Sequence, residues 1–208
     1  MKLFKAVAFG VIAATLSACS TMDIASRNAP LETPRLETQP VAEVARDYSL
    51  HSINFVVPSS LRVSEANSYY PIADIVWRGD PFGNRPEQIT DIFQNSIAAA
   101  GEGLSGSTPV TVDVTLMRFH SLTERTRYSV GGVHSIKFEM TVRDAQTGEV
   151  LEGPRVIKAD LAGLGGYAAM QADAQGQGQK VRIMAHLTSL FYRELSGTRP
   201  AALATAGT

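Results

Sequence analysis

Residues 135–143, SIKFEMTVR, place Ile136, Phe138, Met140 and Val142 on one side of an extended chain and Ser135, Lys137, Glu139, Thr141 and Arg143 on the other. Successive side chains of a strand point to opposite faces, so this stretch spells a strand with one buried and one wet face. Residues 110–116, VTVDVTL, repeat the pattern, with Val110, Val112, Val114 and Leu116 set against Thr111, Asp113 and Thr115. A sheet covered on one side only is expected to be antiparallel and to carry its helices on the apolar side.

Working outward, residues 52–57 (SINFVV) alternate and stop at Pro58, which reads as a first strand. Residues 73–78 (ADIVWR), between Pro71 and the turn residues Gly79, Asp80 and Pro81, read as a second. Asp144, Thr147 and Gly148 make a hairpin turn into a last strand near residues 155–161, with Ile157, Ala159 and Leu161 facing inward.

Helical spacing appears twice. Ile89, Ile92, Phe93, Ile97 and Ala100 share one stripe, with Asn84 three residues before Glu87 as a capping box and Gly101 at the far end. Ile183, Met184, Leu187, Leu190, Phe191 and Leu195 form a broad apolar stripe over residues 179–195, closed by Gly197. The resulting order is β, β, α, β, β, β, α. It predicts an α+β two-layer sandwich over residues 48–196, a mostly antiparallel sheet with two helices on one face. Residues 163–179, rich in Gly, Ala and Gln, are expected to be a mobile loop, with a helical turn at 167–172 and room to act as a lid. The small residues of 197–208 are expected to be a disordered tail.

The chain of 208 residues begins with Lys2 and Lys5 and no acid, followed by eleven uncharged residues from Ala6 to Leu16. This is the pattern of a secretory leader, and it is about half the length needed to span a bilayer. Leu16, Ser17, Ala18 and Cys19 resemble the lipobox of bacterial lipoproteins. The resemblance implies cleavage of a signal peptide, residues 1–18, and acylation of Cys19, the chain's single cysteine. An ordinary leader with a small-residue cleavage site is the competing reading. Three acyl chains, the number the resemblance implies, would hold the protein permanently, whereas one binds only marginally. Ser20 follows the cysteine where, by resemblance to enterobacterial sorting, Asp would favour the inner membrane; this favours the outer membrane. Residues 19–47 read as the lipidated start and a flexible tether, with prolines at 30, 34 and 40.

Of 19 basic and 20 acidic residues, removal of a leader holding Lys2 and Lys5 leaves 17 against 20, a balance that offers no attraction to nucleic acid. The candidate site is a polar rim of Arg118, His120, Glu124, Arg125, Arg127, Tyr128 and His134, suited to an anionic head group or a partner's carboxylates because arginine grips both bidentately. The competing reading is a solvated hairpin end turning at Gly131 and Gly132. His120, His134 and Glu124 lack the spacing of a metal site, and no serine stands in a GxSxG context, so neither metal, cofactor nor catalytic residue is expected. Tyr69, Tyr70, Trp77 and Phe82 read as aromatics completing the core, with an exposed patch for a lipid or protein as the alternative.

Residues 64–80 (SEANSYYPIADIVWRGD), 118–135 (RFHSLTERTRYSVGGVHS) and 142–151 (VRDAQTGEVL) resemble an uncharacterised family of alphaproteobacterial lipoproteins. The lipobox, tether and two-helix sandwich are similar to the auxiliary lipoproteins of envelope lipid transport and to the lipopolysaccharide-assembly lipoprotein. These resemblances imply a membrane-anchored periplasmic accessory without catalysis. Its partners would be the lipid bilayer, through acylated Cys19, and an envelope membrane protein or lipid. A periplasmic hydrolase using His120 or His134, and a structural module meeting peptidoglycan through the polar sheet face, stand as alternatives.

Overall fold

The computed structural model describes residues 43–200. Along the chain these form β1 (Glu43–Ala45), β2 (Tyr48–Val56), β3 (Ile75–Val76), α1 (Arg85–Gly101), β4 (Thr108–His120) and α2 (Glu124–Arg127). There follow β5 (Gly132–Asp144), β6 (Val150–Lys158), β7 (Leu161–Gly163), α3 (Gly166–Ala174), α4 (Gln179–Leu195) and β8 (Thr198–Pro200). The leader, the lipobox and Cys19 lie outside the described residues.

The two alternating stretches form the central pair of the sheet. In β4 and β5 the apolar residues meet across the ladder, Val112 opposite Val142, Val114 opposite Met140 and Leu116 opposite Phe138, and all six are buried. The sheet runs β2-β4-β5-β6, with β3 pairing β4 beyond the end of β2 and β7 pairing β5 beyond the end of β6. This is an α+β fold with a mostly antiparallel sheet. Helices α1 and α4 pack together, and their stripes meet the apolar sheet face around Phe93. The Phe93 ring stacks on Phe55 at 4.5 Å and meets Phe138 edge-on at 5.4 Å, while Phe138 stacks on Phe191 at 5.2 Å. Asn84 caps α1 by accepting from the Glu87 N–H, as its spacing predicted.

Several details depart from the sequence reading. β2 and β3 run parallel to β4. The chain returns from β2 to β4 through α1, and a crossover of that kind brings the next strand back in the same direction. β3 has two residues rather than six, because the chain on either side bends to bury Ala73 and Trp77. β6 begins earlier than expected, and its continuation at residues 159–163 steps across to form β7 against Gly132–His134; the Asp160 carboxylate accepts the Ile136 N–H at the step. The stretch read as a mobile loop holds α3. Residues 43–45 and 198–200, assigned from sequence to tether and tail, pair as an antiparallel two-stranded ribbon.

One irregularity in β4 positions the site. The register shifts between Leu116 and Arg118, leaving Met117 as a bulge. A bulge reverses the facing of every residue after it. Without it Arg118 would point into the core; with it Phe119 does, fully buried, and Arg118 and His120 turn to the opposite face.

Candidate ligand cleft

The four-residue helix α2 separates two clefts at the end of the sheet where β4 finishes and β5 begins. Thr123 caps it, accepting the Thr126 N–H at 3.2 Å. The same turn ties down the loop at residues 67–70. Thr123 Oγ1 donates to the Ser68 carbonyl at 2.8 Å, Thr126 Oγ1 to the Tyr69 carbonyl at 2.7 Å, and the Arg125 N–H to Asn67 Oδ1 at 2.9 Å. A loop carrying two tyrosines is thereby fixed although its side chains face solvent.

The first cleft, about 330 Å³, is lined by Arg78, Glu124, Arg127, Tyr128, Asp173 and Lys180 among others. Its charges are consumed within the protein. Arg78 pairs with Glu124 and with Glu65, and Lys180 Nζ meets Asp80 Oδ1 at 2.8 Å while Trp77 Nε1 donates to Asp80 Oδ2 at 2.8 Å. Arg127, its side chain almost wholly buried, donates to Asp173 at 2.5 Å, and the Tyr128 hydroxyl donates to the same carboxylate at 3.2 Å. Asp173 stands at the end of α3, so the expected mobile lid is a helix bonded to the rim it was to cover.

The second cleft, about 440 Å³, is lined mainly by Tyr69, Tyr70, Leu122, Val130, Gly131, Gly132 and Val133. Tyr70 is 67% exposed, Ile72 on the same loop 85%, Val130 75% and Val133 54%. The Tyr70 ring stacks on His120 at 4.4 Å, and its hydroxyl accepts from Arg118 Nη2 at 2.8 Å. The Arg125 guanidinium lies over the Tyr69 ring at 4.8 Å. Gly131 makes the wall between the valines. Its φ is +72°, and a Cβ there would stand 2.8 Å from the Gly163 carbonyl oxygen. Leu122 lines both clefts.

The structure therefore divides the rim read from sequence. Arg118, His120 and Arg125 flank the apolar cleft; Glu124, Arg127 and Tyr128 belong to the polar one. His120 and His134, grouped in the sequence as one set, lie on opposite faces of the sheet, because His120 is opposite Ser135 and strand parity turns His134 the other way. His120 Nε2 donates to the Pro71 carbonyl at 2.9 Å. His134 is fully buried, and its Nδ1 lies 2.8 Å from Ser121 Oγ. Burial, and then the Arg182 and Arg127 guanidiniums, push its pKa down to about 4, and its Nε2 has no hydrogen-bond partner.

The aromatic cluster read as core also divides: Trp77 is fully buried, whereas Tyr69, Tyr70 and Phe82 are exposed. Sequence reasoning missed Leu122, Val130, Val133 and Ser121. The signal for the valines was the run 130–133, VGGV, where aliphatic residues flank a glycine turn that cannot bury them.

A family model for a family of unknown function, DUF6778, matches residues 48–207, starting at the first residue of β2. The chain belongs to that family. No curated protein matches this DUF6778 member. Among solved structures it is similar to protein XCC0632 from Xanthomonas campestris, of the DUF330 family, at 11% identity and a TM-score of 0.41, over 73% of this chain and 84% of that one. It is also similar to a lipoprotein candidate from Caulobacter crescentus CB15, at 14% identity and a TM-score of 0.26, over 69% of this chain and 89% of that one. Among the described residues of this DUF6778 chain, no helix is long and apolar enough to cross a membrane.

Proposed function

We propose that this chain is a periplasmic lipoprotein, cut before Cys19 and held by acyl chains at the outer membrane, whose folded domain is a noncatalytic binding module of the cell envelope. The anchor rests on the sequence: a short apolar leader, the Leu16-Ser17-Ala18-Cys19 tetrad and a tether of polar, proline-bearing composition. The binding role rests on one structural contrast. Glu124, Arg127 and Tyr128 of the polar cleft are committed to partners inside the protein, while the second cleft is walled by exposed and rigidly held apolar side chains. Exposed aliphatic and aromatic surface around a cavity marks a contact site for another apolar surface.

The 2.8 Å contact between Ser121 and His134 supports a second reading, a hydrolase with a serine nucleophile. Its electrostatics oppose that role. A base taking the serine proton becomes imidazolium, and here it would do so buried beside two guanidiniums with no carboxylate to stabilise it. The polar outer face, where Asp113 bonds Asn54 and Arg143, offers a surface for a peptidoglycan-contacting module, but those side chains already satisfy one another.

Membrane fractionation of cells producing the wild-type chain and Cys19→Ser tests the anchor. The wild type is expected in the membrane fraction through a high-salt wash, and the variant in the soluble fraction with its thermal unfolding unchanged. Retention of Cys19→Ser on membranes in high salt contradicts it.

A further inference from the structure

We infer that the apolar cleft between the Tyr69-Tyr70 loop and the Val130–Val133 turn binds one acyl chain of an anionic lipid, with the acidic head held at its mouth by Arg118 and Arg125. This deepens the binding reading given above and rests on it.

The first ground is pre-organisation. An exposed aromatic normally samples several rotamers and loses that freedom on binding. Tyr70 is held from two sides, by the His120 ring and by Arg118, and Tyr69 sits under Arg125 on a loop fixed by Thr123 and Thr126. The cost of ordering this wall is already met in the folded protein. Facing it, Val130 and Val133 project from a turn whose backbone is fixed by Gly131 packing against Gly163 and Gly165. The cavity is thus a preformed slot and not a gap between mobile side chains.

The second ground is charge complementarity. On the polar side of α2, Arg78 meets Glu65 and Glu124, Arg85 meets Glu65, and Arg127 meets Asp173. Among the described residues, Arg118 and Arg125 meet none; their partners are tyrosines and backbone. Two guanidiniums with donors to spare stand against the tyrosines that line the apolar slot. Asp160 also lines the slot, and its Oδ1 is engaged by the Ile136 N–H. An apolar tail with an acidic head satisfies both halves. A neutral hydrocarbon would leave the guanidiniums unused, and an acidic peptide would leave the slot exposed.

Displacement of the fluorescent probe 1-anilinonaphthalene-8-sulfonate from purified Cys19→Ser protein tests the inference, using decanoate, dodecanoate and dodecanol below their aggregation limits. Dodecanoate is expected to bind one to one, about fifteenfold more tightly than decanoate, since each of the two additional buried methylenes strengthens binding about fourfold. It should also bind more tightly than dodecanol, and Arg125→Gln should narrow that difference. Val133→Asp, at a position 54% exposed and checked for an unchanged unfolding midpoint, is expected to weaken dodecanoate at least about tenfold by placing a like charge and a polar group in the slot. No displacement by dodecanoate, or equal binding by wild type and Val133→Asp, overturns the inference. So does flotation of the protein with anionic vesicles when single-chain amphiphiles fail to bind, which would assign the patch to a bilayer surface. Because the assay uses unlipidated protein, a negative result here leaves the fractionation test of the anchor standing, and the reverse also holds.

Discussion

Two clefts share the side chain of Leu122 and differ in how their walls are spent. In the polar cleft, Arg78, Arg127 and Lys180 are each matched by a carboxylate, and the buried Arg127 joins α2 to the end of α3. In the apolar cleft, the aromatic and aliphatic side chains face solvent, and the arginines beside them hold tyrosines instead of acids. The lesson is that arginine density in a sequence does not locate a binding site. Charges that pair inside the protein build it, and the surface left unpaired is available to something else.

If the polar side of α2 is structural, altering it should cost stability. The largest expected effect is a pH dependence set by the buried His134. Its pKa in the folded protein is about 4, below the usual 6.5, so the unfolded chain binds the proton more tightly. Stability is therefore intact above about pH 6.5 and falls as pH drops toward 4, by roughly 3 kcal/mol across that window. Denaturant unfolding between pH 7.5 and 4 checks this against His134→Gln, whose curve should be flatter by that amount. Equal slopes for the two proteins would remove His134 from the account.

Asp173→Ala strips the buried Arg127 of its carboxylate. It is expected to destabilise by roughly 2–3 kcal/mol, less than a fully buried pair because Asp173 is partly exposed. Urea midpoints read this directly. Ser121→Ala leaves His134 Nδ1 without a partner and should cost about 1–2 kcal/mol. On the apolar side the same measurement should find little: Val130→Ser is expected to shift stability by less than about 0.5 kcal/mol, since the side chain is 75% exposed. A large loss there would mean that the valine belongs to the core and that the two clefts do not differ as described.

The sequence was informative where one period ran unbroken. The alternation in β4 and β5 and the stripes of α1 and α4 gave their positions, the covered face of the sheet and the fold class, because burial on one side leaves a direct trace in residue order. It was silent where geometry depends on a remote partner. No local pattern distinguishes β2 running parallel to β4 from an antiparallel hairpin, since that direction is fixed by the crossover through α1. The bulge at Met117 was equally hidden, and it alone puts Arg118 and His120 on the face opposite His134. Asp173, which occupies Arg127, and Arg78, which occupies Glu124, each lie 46 residues from their partner in sequence, so the rim looked free when half of it was not. Tyr69 and Tyr70 carried no signal to separate them from Trp77, because an aromatic suits a core and an exposed slot alike.

The central claim is that the Tyr70–Val133 slot is the surface this domain offers to a ligand. Native mass spectrometry of the Cys19→Ser protein incubated with dodecanoate measures it most directly. One bound dodecanoate per chain in that protein, absent when Val133→Asp is added, is the result expected. A chain that stays unloaded, or one that carries the same adduct with and without Val133→Asp, would contradict it.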